Sequence, residues 1–141
     1  MEKEFVPYEQ ALELKELGFD EPCIACWSNR KSKNYYLYFG GIEYVEDEGY
    51  VNPMKGTIIS APTFSQAFRW FREKHGISVS ISINWEEGIG KDSSYGKYAC
   101  SLQHKSYDES IGEFIGVFKR YEEAELECLK ELIEMVKENE L

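Results

Sequence analysis

Histidine is scarce in this chain of 141 residues: His75 and His104 are the only two. Imidazole is the side chain whose charge ordinarily changes near neutrality. Only these two positions therefore offer a ready acid or base. No Ser, Cys or acidic residue is spaced with either as a recognisable triad, and no H-E-x-x-H occurs. Cysteine is sparse too. Cys23-Ile-Ala-Cys26 spells C-x-x-C, but a zinc site needs two further ligands at suitable spacing, and Cys100 and Cys128 stand singly. A strand across residues 23–28 would send the sulfurs of Cys23 and Cys26 to opposite faces. Redox C-x-x-C pairs open a helix, and no helix pattern follows "CIACWS". The expectation is buried, reduced, structural thiols and no metal.

Positive charge is also short. Sixteen Lys and Arg face 26 Asp and Glu, a net charge of −10. Generic binding to nucleic acid or an anionic membrane needs phosphate-neutralising cations, so this balance argues against both. The acid is concentrated: from Glu122 to Leu141 eight Glu stand against Lys130 and Lys137. No apolar run approaches the ~20 residues of a membrane span. The start, "MEKEFVPYEQ", has no positive segment followed by an apolar one, so it does not read as a secretion signal. A cytoplasmic protein is expected.

A phosphate loop is mimicked but missed. In "GIGKDSSYGK", Gly90 and Gly96 enclose five residues instead of four, and Tyr98 stands where Ser or Thr should be. No catalytic residue and no cofactor are assigned, and the reading leans away from an enzyme.

Aromatics, by contrast, are abundant, with ten Tyr, eight Phe and three Trp. They supply a packed core for a single globular domain over residues 1–141. Three helices are legible. Pro7 opens the first, near 8–17, and Gly18 closes it, with Leu14 and Phe19 placed to meet across a Schellman cap. Thr63 and Gln66 have capping-box spacing at the start of the second, near 63–75. The third spans about 121–138, with an apolar stripe of Leu126, Leu129, Leu132, Ile133 and Val136.

Strands alternate between them. Ile77, Val79, Ile81, Ile83 and Trp85 point one way, and Ser78, Ser80, Ser82 and Asn84 the other. Residues 97–105 repeat the pattern with Tyr98, Cys100, Leu102 and His104. The "IGEFIGVFKR" strand carries glycines that permit a bulge. Residues 42–60 read as a hairpin or an irregular excursion. The fold class is α+β, with a single mostly antiparallel sheet and about three helices packed mainly on one face. The strand "NYYLYFGG" is apolar on both faces, which predicts further cover and a homodimer.

The second helix, "APTFSQAFRWFREKHGI", holds the candidate site. At 100° per residue, Phe64, Ala67, Phe68, Phe71 and His75 form the core stripe, with Trp70 on one flank. Ser65, Arg69 and Arg72 share the other. Guanidinium forks suit phosphate or carboxylate. These three residues, with Arg30, Lys31 and Lys33 from a basic turn, are the candidate ligand-binding set for a small anion. The competing reading is that the arginines pack along the core edge and pair with local acids.

The blocks "ALELKELGFDEPC", "APTFSQAFRWFREKHGI" and "YEEAELECLKELIEMVK" resemble a group of short proteins encoded by tailed phages and prophages of gut bacteria. The group carries no assigned activity, so no residue role transfers. The resemblance implies a phage or mobile-element setting in the host cytoplasm. By analogy it implies action through binding, as an anti-defence protein that sequesters a small anionic, nucleotide-like host or defence signal. The alternative is a protein–protein inhibitor of a host factor. An enzyme acting on a nucleotide has no motif behind it.

Overall fold

A computed structural model describes residues 1–29, 34–39, 58–84, 97–105 and 113–139. The order is a short 3-10 turn (Glu2–Glu4), α1 (Tyr8–Glu16), β1 (Ala25–Ser28), β2 (Tyr36–Phe39), β3 (Ile58–Ser60), α2 (Phe64–His75), β4 (Ile77–Ile83), β5 (Tyr98–His104), β6 (Glu113–Phe118) and α3 (Tyr121–Asn139). The chain forms two compact units, Met1–Ala67 and Phe68–Leu141, with the division inside α2.

In the first unit, β1 is the central strand of an antiparallel sheet ordered β2-β1-β3. All four of its residues are buried. The N-terminal segment is tied in by backbone. Val6 N–H donates to Pro62 O at 2.9 Å, and the buried indole of Trp27 donates to Val6 O at 2.9 Å. The expected Schellman cap is present. Phe19 N–H donates to Leu14 O and Gly18 N–H to Lys15 O, with Gly18 at φ 98° and both Leu14 and Phe19 buried. Tyr8 stacks on Tyr35 at 3.7 Å. Their hydrogen bond, foremost, holds the Tyr8 hydroxyl up at about 12.

In the second unit, β4-β5-β6 form another antiparallel sheet, and α3 packs on it. The β4–β5 register pairs Val79 with Leu102 and Ile81 with Cys100, which gathers the expected apolar face. Ser78, Ser80 and Ser82 are exposed on the other face. A bulge interrupts β5–β6. Cys100 opposes Gly116 while Ser101 opposes Phe114, so Ile115 is the extra residue. On α3, Glu127 and Lys130 pair on the surface at 3.2 Å, while Ala124, Cys128, Leu129, Leu132, Ile133 and Val136 are buried.

Two expectations are corrected. The strands make two three-stranded sheets, not one. Alternation identifies strands, but it cannot say that β3 spends its pairing on β1 before α2 intervenes. The second correction concerns cysteine. Cys100 and Cys128 are joined in a disulfide, with Cα atoms 6.6 Å apart and 28 residues of separation. Each lies on the buried side of its own element, and α3 packs directly on β5. Nothing in their spacing signals this. Cys23 and Cys26 are thiols outside any disulfide. Cys23 precedes the strand, and burial chiefly, then the Glu21 carboxylate, pushes its thiol up to about 11. The serial strand reading of the two sulfurs therefore applies only to Cys26. Among the described residues no helix is long and apolar enough to cross a membrane. Trp85 and the rest of the excursion before Ile58 lie outside the described residues.

Closing a loop of this length constrains the unfolded chain by about 3–4 kcal/mol in the chain-entropy model. Urea unfolding of the wild type with and without dithiothreitol should differ by an amount of that order. Coincident curves, with thiol titration proving reduction, would show that the bond contributes nothing.

Candidate functional site

The site is built in the second unit, from its part of α2 and from β4, β5 and α3. Thr63 caps α2, its hydroxyl accepting from Gln66 N–H at 3.2 Å. The helix ends at His75 and turns into β4 through one residue, Gly76, at φ 69°. Only a residue at ease with positive φ permits so short a link. Gly76 O then accepts from Lys105 N–H at 2.9 Å, extending the β4–β5 ladder in which Ile77 opposes His104. That register brings the chain's two histidines to one end of the sheet.

There they line a cleft of about 330 Å³ with Lys74, Ile77, Val136 and Asn139. The volume falls within the roughly 300–1,000 Å³ of small-molecule sites. Ile77 and Val136 are buried and give an apolar wall. His75 is held by aromatics, its ring centroid 5.0 Å from Trp70 and 5.8 Å from Phe71. Its place in the last turn of α2 suits a cation, because the carbonyl end of a helix carries partial negative charge. Lys74 is exposed and adds a fixed positive charge. No carboxylate lines the cleft among the described residues. A second cleft, in the first unit, is smaller at about 240 Å³. Its described lining holds one residue of each charge, Lys15 and Asp20.

The arginines lie elsewhere on α2. The buried residues of the helix are Phe64, Ala67, Trp70 and Phe71, while Phe68 and His75 are only half-buried. Burial of Trp70 rotates the core arc by roughly 50° from the expected stripe at 100° per residue. Ser65, Arg69 and Arg72 consequently stand opposite the core, all exposed, instead of at its edge. Lys74 falls inside the buried arc by angle, but on the last turn, where the cleft opens. Arg30, Lys31 and Lys33 lie outside the described residues. Helical spacing does group Ser65, Arg69 and Arg72 on one side, while the histidine cleft was missed. Its signal was faint: two lone histidines, at a helix end and a strand end, which only the register places together.

Among the described residues no three side chains of His, Cys, Asp or Glu gather as a metal site. No protein-family model, curated protein or solved structure matches the chain.

Two outcomes follow from these placements. Arg69→Ala and Arg72→Ala should each change unfolding free energy by less than about 0.5 kcal/mol, as exposed substitutions do. A loss near 1 kcal/mol would restore the core-edge reading. Gly76→Ala should cost about 1 kcal/mol or more, since alanine is strained at this φ and its Cβ would stand 2.7 Å from Lys105 Cε. Thermal melts compare all three with the wild type, and an unaltered Gly76→Ala melt would show that the turn relaxes freely.

Proposed function

We propose that this protein is a non-enzymatic binding protein for a small anionic ligand, seated in the cleft at the joined ends of α2, β5 and α3. One observation carries the reading. In a chain of net charge −10, both histidines and Lys74 converge on one cleft that no described carboxylate lines. Apolar Ile77 and Val136 give such a ligand something to bury. The exposed Ser65, Arg69 and Arg72 are a second, open anion contact on the same helix, with guanidinium forks suited to phosphate.

In a phage or mobile-element setting, this chemistry fits sequestration of a nucleotide-like host or defence signal. The host cytoplasm is the matching location. The Cys100–Cys128 disulfide stands against it, because cytosolic thiols are kept reduced. Docking on a host protein is the alternative, and the exposed apolar residues favour it. Phe114 is 64% exposed beside the serine face, and Phe39 on the edge strand β2 is 49% exposed. The same edge strand is where a homodimer would extend the first sheet.

The test is calorimetric titration with inorganic phosphate, adenosine monophosphate and succinate. Saturable one-to-one binding of at least one is expected. Lys74→Gln and His104→Gln should each weaken it by roughly tenfold, about 1.4 kcal/mol, with melting unchanged. Arg72→Lys should weaken it only if the open contact takes part. Binding unaffected by the Lys74 and His104 changes would move the site away from the cleft. No binding of any probe would favour the docking alternative.

A further inference from the structure

We infer that the cleft takes a tetrahedral dianion, a phosphate monoester by chemical class, and takes up protons on its histidines as it does so. This rests on the reading of the cleft as an anion seat. It goes further by naming the ligand's charge and shape and the means of control.

The charge count leads to it. Among the described residues that line the cleft, Lys74 alone carries a fixed charge. The remaining titratable lining groups are His75 from α2 and His104 from β5. β4 contributes Ile77, and α3 contributes Val136 and Asn139, none of which titrates. Lys105, whose side chain crosses Gly76, is a further cation at this end of the sheet. Lys105 is not among the described lining residues, so with both imidazoles neutral that described lining carries one positive charge, which under-matches a dianion. Each proton taken up adds one. Imidazole is the side chain able to supply such a charge change near neutrality.

A lysine ammonium and two imidazolium groups are donors only when charged. They approach from the last turn of a helix and the end of a strand. A tetrahedral oxyanion presents acceptors in several directions and can meet them together, whereas a carboxylate presents two oxygens in one plane. Asn139 lines the cleft from α3, and a side-chain amide can also donate. Ile77 and Val136 receive the apolar arm of an ester.

The sign follows from linkage. A bound dianion favours the protonated imidazoles, so the complex holds more protons than the free protein. Affinity then rises as pH falls through the imidazole range, on the order of tenfold per pH unit for one coupled proton. Sulfate is the decisive probe, because it is a tetrahedral dianion whose own charge does not change in this window. Phenyl phosphate supplies the arm that an ester would add.

Calorimetry with sulfate and with phenyl phosphate at pH 5.5, 6.5 and 7.5, in two buffers of different ionisation enthalpy, measures affinity and proton uptake together. For the wild type the expected result is tighter sulfate binding at each step down in pH, with net proton uptake at pH 7.5. Phenyl phosphate should bind more tightly than sulfate at pH 7.5, where it too is a dianion. In His75→Gln/His104→Gln the slope and the uptake should vanish. His104→Gln alone should halve the uptake, which keeps the test open if the double variant does not fold. Binding with a flat pH profile and no proton uptake would overturn the inference and leave the anion seat standing. A slope that persists in the double variant would also overturn it. Absence of saturable binding by either probe at every pH, together with none by succinate, would remove the seat itself.

Discussion

The one-residue turn at Gly76 is the constraint on which the candidate site depends. Its positive φ lets α2 stop and β4 begin with nothing between. Its carbonyl takes the Lys105 amide, and this adds a rung to the ladder that sets Ile77 against His104. Lengthening the link by a residue or two would separate His75 from the strand that pairs with His104. The cleft is thus a consequence of backbone geometry before it is a matter of side-chain chemistry. The lysine lying over Gly76 also leaves no room for a larger residue there without displacement.

The second organising contact is the packing of α3 on the β4-β5-β6 sheet. Its buried stripe runs from Ala124 to Val136, and the disulfide fastens it to β5 midway. The same strand and helix continue to His104, Val136 and Asn139 at the cleft. A site whose walls are the ends of packed, cross-linked elements is held more rigidly than one on loops, which favours a preformed pocket. The acidic character of α3 is consistent with this. Glu123, Glu127 and Glu134 pair with Arg120, Lys130 and Lys137, while the described residues that α3 gives the cleft wall are uncharged.

The arginine face illustrates how a single large side chain alters a functional reading. A stripe drawn through the phenylalanines of α2 puts Arg69 and Arg72 at the core boundary. Indole burial is more favourable than that stripe allows for, because Trp70 has more apolar area to remove from water than any neighbour on the helix. Once it turns inward, the arginines face solvent and the helix keeps two distinct positive features. One is the open arginine flank. The other is its last turn, with Lys74 and His75.

Much of the local structure was legible in the sequence. The bounds of the three helices, the Schellman cap at Gly18, the Thr63 cap, the alternation of β4 and β5, and the provision for a bulge in β6 all depend on interactions among residues close in the chain. Periodicity and capping chemistry encode such interactions directly. What the tertiary structure alone decided was pairing over distance. β3 joins β1 and leaves two sheets. Cys100 meets Cys128 across 28 residues. His75 and His104 line one cleft because β4 and β5 pair in that register. Each of these is a choice among partners that the local pattern leaves equivalent, and it is made by which apolar faces must be buried together.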